Sequence, residues 1–145
     1  MKYTDRKYQY SFEVPSGWRQ QRRKLWFLFT GGKVAYESAD GRASFNFSVG
    51  RPDRPEWADR TTRLSAMADF LNRAPGRYTT DKHGELDIKL GGEGNTVAFW
   101  HRSPSGYGTI VSAYCGGIEY VFQSNDATHP QHEAEIRNVV ESFKF

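Results

Sequence analysis

Hydrophobic and polar residues alternate along two stretches in the first third of the chain. In residues 8–14 every second residue is aromatic or aliphatic, and Pro15-Ser16-Gly17 follows as a turn. The same alternation fills residues 43–49, directly after Asp40-Gly41, a strong signal for a tight turn. Alternation with a period of two is typical of a half-buried strand. The pattern therefore predicts two amphipathic strands.

Apolar runs bounded by turn residues predict the other strands. Residues 25–30 are apolar almost throughout, and Gly31-Gly32 separates them from the apolar stretch 34–37, which together predict a hairpin. Further strands are predicted, one or two of them within 78–90 and one each at 96–102, 108–115 and 118–123.

Two segments have the periodicity of a helix. The first is predicted from about residue 54 to 73, with Asp53 as its cap, Pro55 in its first turn and an apolar stripe formed by Trp57, Leu64, Met67, Ala68 and Leu71. The second follows residues 128–131, where Thr128 is the predicted cap, and its buried stripe is Ile136, Val139, Val140 and Phe143.

The order of these elements predicts the fold class. Strands follow one another through tight turns and do not alternate with helices, which favours an α+β fold on a mostly antiparallel sheet over a doubly wound one. The chain has 145 residues and no linker-like segment, so we expect a single domain spanning residues 1–145.

Composition and charge exclude several classes of protein. Mean hydropathy is −0.75 and no apolar run approaches the length of a membrane span, so no transmembrane segment is predicted. A net charge of +3 is too small to indicate nucleic acid as the partner. The single cysteine, Cys115, rules out an intrachain disulfide, and we expect it to be a buried, inert thiol. No signal peptide is visible, so the expected location is the cytoplasm or, after removal of a lipoprotein leader, the cell envelope.

Three stretches resemble one family in their order along the chain. YQYSFEVPSGW at 8–18 resembles the opening strand and Pro-x-Gly-Trp turn of PsbP-like domains, and VAYESADGRASFNFSVG at 34–50 resembles their next hairpin. Residues 118–123 and the helix closing on VESFKF are similar to their last strand and helix. The resemblance implies an α-β-α sandwich around an antiparallel sheet. It also implies a role in binding and not in catalysis, with no universal catalytic residues to carry over.

Motifs that suggest chemistry all have a simpler structural interpretation. Two histidines and two acidic residues that could bind zinc lie close together, namely His129, His132, Glu133 and Glu135, but no third ligand has a fixed spacing. The serines at 103–106 and the glycines at 91–94 lie between strands, which predicts turns and not a nucleophile elbow or a phosphate loop. We therefore assign no catalytic, cofactor or metal residue, and keep a small hydrolase or metal enzyme only as the second alternative.

Basic and aromatic residues meet in one segment, 18–29. The candidate partner surface in this segment is formed by Arg19, Arg22, Arg23, Lys24, Trp26, Phe27 and Phe29. The first alternative function is that residues 18–26 of this segment bind single-stranded nucleic acid or acidic lipid, and the simpler interpretation is a solvated loop between two core tryptophans. Residues 25–29 are apolar on both faces, which fits either a doubly covered central strand or a strand covered by a partner, including a second copy of this chain.

The polar sides of the two amphipathic strands form a second candidate surface. Its residues are Ser11, Glu13, Ser44, Asn46 and Ser48. If the two strands are neighbours, these side chains form one polar sheet face for a ligand or partner, and otherwise they are hydrated surface. The sequence as a whole predicts a non-catalytic binding or accessory domain that acts through contacts with an unidentified protein partner.

Overall fold

A computed structural model describes residues 1–21, 32–73, 82–104, 106–127 and 130–145. The described chain contains nine strands and two α-helices. In chain order these are β1 (Lys2–Asp5), β2 (Tyr10–Glu13), β3 (Arg19–Gln20), β4 (Gly32–Glu37), β5 (Ala43–Gly50), α1 (Arg60–Arg73), β6 (Lys82–Glu85), β7 (Thr96–Ser103), β8 (Gly106–Cys115), β9 (Ile118–Asp126) and α2 (Glu133–Ser142).

Seven of the strands form one antiparallel sheet. Their order is β3-β4-β5-β9-β8-β7-β6, while β1 and β2 pair separately as a two-stranded sheet. The strands predicted at 96–102, 108–115 and 118–123 are confirmed as β7, β8 and β9, each with small differences at its ends. The predicted strand at 25–30 lies outside the described residues.

The main core lies on one face of the large sheet. Ala43, Phe45, Phe47 and Val49 of β5 are all buried, as their alternation predicts. The ring of Phe12 on β2 lies 4.7 Å from that of Phe47, so the β1-β2 hairpin covers this face. Helix α2 covers it too, through the predicted stripe of Ile136, Val139, Val140 and Phe143.

Helix α1 covers part of the opposite face. Leu71 packs with Val97, Phe99 and Ile110 of β7 and β8, and Leu64, Met67 and Ala68 complete this second cluster. In an antiparallel sheet the side chains of consecutive residues point to opposite faces, so Val97 and Ala98 belong to different layers. The two helices therefore lie on opposite faces, and the predicted α-β-α sandwich is confirmed. No helix in the described part of the chain is long and apolar enough to cross a membrane.

The start of the first helix differs from its prediction. The segment is divided into a 3-10 turn, Pro55–Ala58, and α1, because Asp59 between them is extended with φ −76° and ψ 125°. The cap is Asp59, whose Oδ2 accepts hydrogen bonds from the backbone N of Thr62 at 3.0 Å and its Oγ1 at 2.9 Å. Predicting Asp53 as the cap was therefore wrong. At α2 the N-cap position is His132, and Thr128 lies outside the described residues.

The first amphipathic segment is shorter and more enclosed than its pattern predicts. Only Tyr10–Glu13 is a strand, and Ser11 is buried although it lies on the predicted polar side. The backbone N of Ser11 donates to the carbonyl of Lys144 at 2.9 Å, and the N of Lys144 donates back at 2.8 Å. The C-terminal segment thus pairs with the edge of the hairpin and shields Ser11 from solvent.

Candidate functional site

Arg63 on α1 is fully buried, with 0% of its surface exposed. Arginine is almost never fully buried unless its donors are paired. Its Nη2 donates to the carbonyl of Asn95 at 2.7 Å, its Nη1 to the Asn95 Oδ1 at 2.8 Å, and its Nε to the Ser112 Oγ at 3.1 Å. Longer hydrogen bonds reach the carbonyl oxygens of Trp57, Ala58 and Ser112. Arg63 therefore fastens α1 to the loop before β7 and to β8.

Glu119 on β9 brings a negative charge to this network. Its Oε2 accepts hydrogen bonds from the Ser112 Oγ at 2.7 Å and from the Trp57 Nε1 at 2.8 Å. Burial lowers the pKa of Arg63, and Glu119 opposes that shift. Sequence reasoning missed Arg63, although it is one turn before Met67 and two before Leu71 on the buried stripe of the helix. Its place on this stripe was the one signal in the sequence that could have identified Arg63 as buried.

The loop 86–89 separates two clefts at one edge of the molecule. The backbone N of Leu86 donates to the carbonyl of Ala98 at 2.8 Å, which holds the loop against β7 beyond the end of β6. Ile88 is buried and Leu86 is half-buried, while Asp87 and Lys89 are exposed. The extended loop thus directs apolar and charged side chains to different sides.

The first cleft lies between this loop, β8 and α2, and it is small. Its volume is about 20 Å³, enough for about one water molecule and far below the roughly 300–1,000 Å³ of sites for small molecules. Its lining is Leu86, Ile88, Tyr107, Thr109, Asp126, Glu133, Ile136, Arg137 and Val140. Such a cleft can take the tip of one apolar side chain but not a substrate.

The second cleft, on the side of α1, is an open groove of about 460 Å³. We call it the charged groove, and its lining is Arg60, Glu85, Leu86, Asp87, Ile88, Lys89, Gly94 and Thr96. The Arg60 Nη2 lies 3.3 Å from the Glu85 Oε1, and its Nε donates to the carbonyl of Thr96 at 3.0 Å. With Asp87 and Lys89, the groove presents two charges of each sign.

The hydroxyl of Thr96 is the only one in the described lining of the charged groove, and it is already occupied. It donates to the carbonyl of Glu93 at 2.6 Å and accepts a hydrogen bond from the N of Leu90 at 3.3 Å. This lining contains no cysteine, serine or histidine that could act with it as a nucleophile and base. The arrangement suits polar recognition by paired charges.

His132 lies between two carboxylates at the start of α2. Its Nδ1 is 2.9 Å from the Glu135 Oε1 and its Nε2 is 3.3 Å from the Asp40 Oδ2. Both contacts are hydrogen bonds only if both ring nitrogens donate, which requires the imidazolium form. The Trp18 Nε1 also donates to Glu135, at 2.8 Å, and the Trp18 ring meets the His132 ring edge-on. Neither nitrogen of His132 is free for a metal in this arrangement, and His129 lies outside the described residues.

This cluster shifts two pKa values in opposite directions. The hydrogen bond to Glu135 is the main cause that raises the pKa of His132 from 6.5, and Asp40 and Asp126 add to it. Hydrogen bonds from Ser38 and from the backbone N of Arg42 lower the pKa of Asp40 from 3.8 to about 2. The contact between His132 and Asp40 joins the turn between β4 and β5 to α2.

We expect the stability of the protein to depend on pH through His132. Because its pKa is raised in the folded state, its contribution is fully present below about pH 6.5 and is lost as the pH rises through the raised value. The contribution of Asp40 is present above pH 3.8 and is lost as the pH falls through about 2.

Thermal unfolding of His132→Gln, measured from pH 5 to 9, should show a melting temperature a few degrees below wild type at low pH and a smaller difference at high pH. A His132→Gln difference that grows as the pH rises would contradict this assignment.

Of the candidate partner surface predicted from sequence, only Arg19 lies among the described residues. It is exposed on β3, and its Nη2 is 3.3 Å from the Glu37 Oε1. The others, Arg22, Arg23, Lys24, Trp26, Phe27 and Phe29, lie outside the described residues, so this surface stays a prediction.

The structure does not bring the five residues of the candidate polar face together. Ser44, Asn46 and Ser48 are half-buried on β5, opposite Asn125, Gln123 and Val121 of β9. Ser11 and Glu13 belong to the separate two-stranded sheet. Because β2 packs its aromatic side on that of β5, the polar sides of the two strands face away from each other. Only the β5 residues form a polar sheet face, flanked by β9.

The other motifs lie where a structural interpretation expects them. Ser103 ends β7 and Gly106 begins β8, with Ser105 outside the described residues, and Leu90–Gly92 is a 3-10 turn before β7. Cys115 is half-buried, whereas the sequence predicted a fully buried thiol. Burial and the neighbouring Glu93 raise the pKa of its thiol, which favours the unreactive protonated form.

Comparison with solved structures shows that the chain has a PsbP-like fold. The solution structure of cyanobacterial PsbP (CyanoP) from Synechocystis sp. PCC 6803 matches 99% of this chain and 91% of its own, with a TM-score of 0.62 and 15% identity. A crystal structure from Bacteroides thetaiotaomicron VPI-5482 matches 99% of this chain and 47% of its own, with a TM-score of 0.55 and 13% identity. No family model and no curated protein matches the sequence. At these identities the likeness concerns the fold alone.

Proposed function

We propose that this chain is a non-catalytic binding domain that acts through contacts with another protein, and that the charged groove is its contact surface. The observation that carries the proposal is the groove itself, an open space of about 460 Å³ that presents charges of both signs. The PsbP-like fold is compatible with this role but does not identify it.

The charges on the loop 86–89 suggest the kind of partner segment. Asp87 and Lys89 are exposed, two residues apart on an extended stretch, so they lie on the same side of it. Arg60 and Glu85 already pair with each other across the groove. A partner segment with one basic and one acidic side chain would satisfy Asp87 and Lys89 together. The small apolar cleft behind the loop would add a place for the tip of one aliphatic side chain.

Photo-crosslinking followed by reconstitution tests this proposal. A photoreactive residue at position 87 should capture the same protein repeatedly, whereas the same residue at Gln123, on an exposed part of β9, should not capture it. With the captured protein purified, the double variant Asp87→Lys and Lys89→Glu should weaken binding about tenfold or more, because both contacts become like-charge contacts. Sedimentation of the chain alone shows whether that protein is a second copy.

The matched control changes charges of the same kind outside the groove. Arg51→Glu with Asp53→Arg reverses two exposed charges that are also two residues apart but lie outside the lining of both clefts, and should leave the affinity unchanged within about twofold. Equal affinities for wild type and the position 87 and 89 variant would contradict the proposal.

The basic and aromatic segment predicted from sequence remains a separate proposal, as a surface for acidic lipid. Its test is binding to vesicles that contain an anionic lipid. If the double variant Arg22→Ala and Arg23→Ala binds these vesicles as wild type does, the segment has no such role.

A further inference from the structure

At one end of the main core face, two aromatic and two basic residues lie in adjacent rows, and their side chains keep exposed surface within the described part of the chain. The register places Lys82, Arg102 and Tyr107 opposite one another across β6, β7 and β8, and places Gly84 opposite Trp100 in the next row. Directly opposed residues in an antiparallel sheet project to the same face. All five positions therefore share one face at the edge of the sheet.

The rings of Trp100 and Tyr107 are nearly parallel. The ring planes of Trp100 and Tyr107 differ by only 7°, with centroids 6.3 Å apart, so a ring stacked on one is parallel to the other. Both side chains are half-buried and retain accessible surface. We call this pair the aromatic platform.

Gly84 makes room for this geometry. A Cβ atom built on Gly84 would lie 2.7 Å from the Trp100 Nε1, closer than real Cβ contacts come, and 3.0 Å from its Cε2. The indole therefore lies against the edge strand, where a larger residue would displace it. Covering a glycine also stabilises the strand pair, but that role leaves the other surface of the indole unexplained.

On the side of β6, the charged groups beside the platform are the cations Lys82 and Arg102, whereas Asp126, opposite Tyr107 on β9, and Glu133 on α2 lie on its other side. Lys82 and Arg102 are exposed, and within the described chain neither forms an ion pair. Burial and the nearby Glu133 raise the pKa of Tyr107, so its hydroxyl stays protonated. Because Glu133 would repel an anion on the side of α2, an anion would bind on the opposite side, beside Lys82 and Arg102.

We infer that the aromatic platform, with Lys82 and Arg102, binds a planar ring that carries an anionic substituent, such as an aryl or nucleobase phosphate. The ring stacks on Trp100 and Tyr107, and the phosphate lies between the ammonium and the guanidinium. This site is separate from the charged groove and does not depend on the proposed function. Arginine suits it because its planar group can form two parallel hydrogen bonds with a phosphate.

NMR titration of the full chain tests the site, with the indole N–H resonance of Trp100 as the reporter. The probes are adenosine 5′-monophosphate, adenosine and phenyl phosphate. We expect both phosphates to bind saturably with a dissociation constant of about 0.1–1 mM, and adenosine to bind several-fold more weakly. Equal binding of the two phosphates supports a general aryl phosphate site, and stronger binding of the nucleotide supports a nucleobase site.

Variants separate the stacking from the charge. Trp100→Ala should weaken binding of the nucleotide about tenfold or more. Arg102→Gln should weaken both phosphates about fivefold and leave adenosine unchanged. Arg51→Gln is the matched control, because Arg51 is an exposed arginine directly after β5. Its neighbour Gly50 lies opposite Glu119, at the other end of β9 from Asp126, the residue opposite Tyr107, so this variant should change nothing.

Arg102→Gln keeps the test valid if Trp100→Ala does not fold, because Arg102 is exposed and its loss leaves the core intact. The inference is overturned if neither phosphate binds saturably up to about 10 mM, or if Arg102→Gln binds both phosphates as wild type does.

Discussion

Replacing Arg63 with alanine is expected to destabilise the protein by about 3–4 kcal/mol. The side chain has no exposed surface, and its removal leaves the Asn95 and Ser112 acceptors buried without their donors. It also leaves Glu119 without the positive charge that faces it. Urea unfolding followed by tryptophan fluorescence measures the change, with the m-value as a check on two-state behaviour.

Two variants show whether the hydrogen-bond geometry or only the charge matters. Arg63→Lys keeps the charge but loses the planar donor group, and should still cost about 2 kcal/mol. Arg60→Ala, one turn earlier on α1, removes an arginine whose ion pair with Glu85 is about half exposed, and should cost less than about 1 kcal/mol. If Arg63→Ala lost no more stability than Arg60→Ala, the anchoring role of Arg63 would be wrong.

Replacing Phe47 with alanine is expected to cost about 4 kcal/mol, the other large effect. Its side chain is 0% exposed, and its ring lies 4.7 Å from that of Phe12, 5.1 Å from Phe122 and 5.2 Å from Phe143. These contacts join β2, β9 and the segment after α2 to β5. A cavity at this point would loosen the hairpin and the helix together, which chemical denaturation can measure.

Phe145 provides the matched control for Phe47. Its ring packs against Phe143 and Tyr120 but is 44% exposed. Phe145→Ala should therefore cost about 1 kcal/mol or less, because little apolar surface returns to water. A similar loss for both variants would show that the core is not centred on Phe47.

Local patterns were sufficient to predict which faces of β5 and α2 are buried. The alternation of Phe45 and Phe47 specifies which face of β5 is buried, and the spacing of Ile136, Val139 and Val140 specifies the face of α2. These signals come from residues two to four positions apart, within one element. The likeness of 8–18 and 34–50 to PsbP-like domains then implied how the layers are arranged, which the solved structures confirm.

Long-range pairing could not be derived in the same way. The burial of Ser11 depends on Lys144, at the other end of the chain. The cap is Asp59 and not Asp53 because the backbone becomes extended at Asp59. Arg63 contradicts the rule that charged residues stay at the surface. Its acceptors, Asn95 and Ser112, are 32 and 49 residues away.

The candidate sites also arise from residues that are distant in sequence. The charged groove joins Arg60 to the loop 86–89 and to Thr96, none of which carries a recognisable motif. The aromatic platform depends on the register of β6, β7 and β8, which places Gly84 opposite Trp100. A register shifted by one residue would send these side chains to the other face, so sequence patterns alone could not identify either site.

Amide hydrogen exchange is the most direct test of the charged groove as the contact surface. It compares the chain alone with its complex with the purified partner captured from position 87. We expect slower exchange in the complex at residues 85–89 and 93–96, and no change in β5 or β9. Protection limited to the polar face of β5 and β9, or to the segment 18–29, would contradict the account.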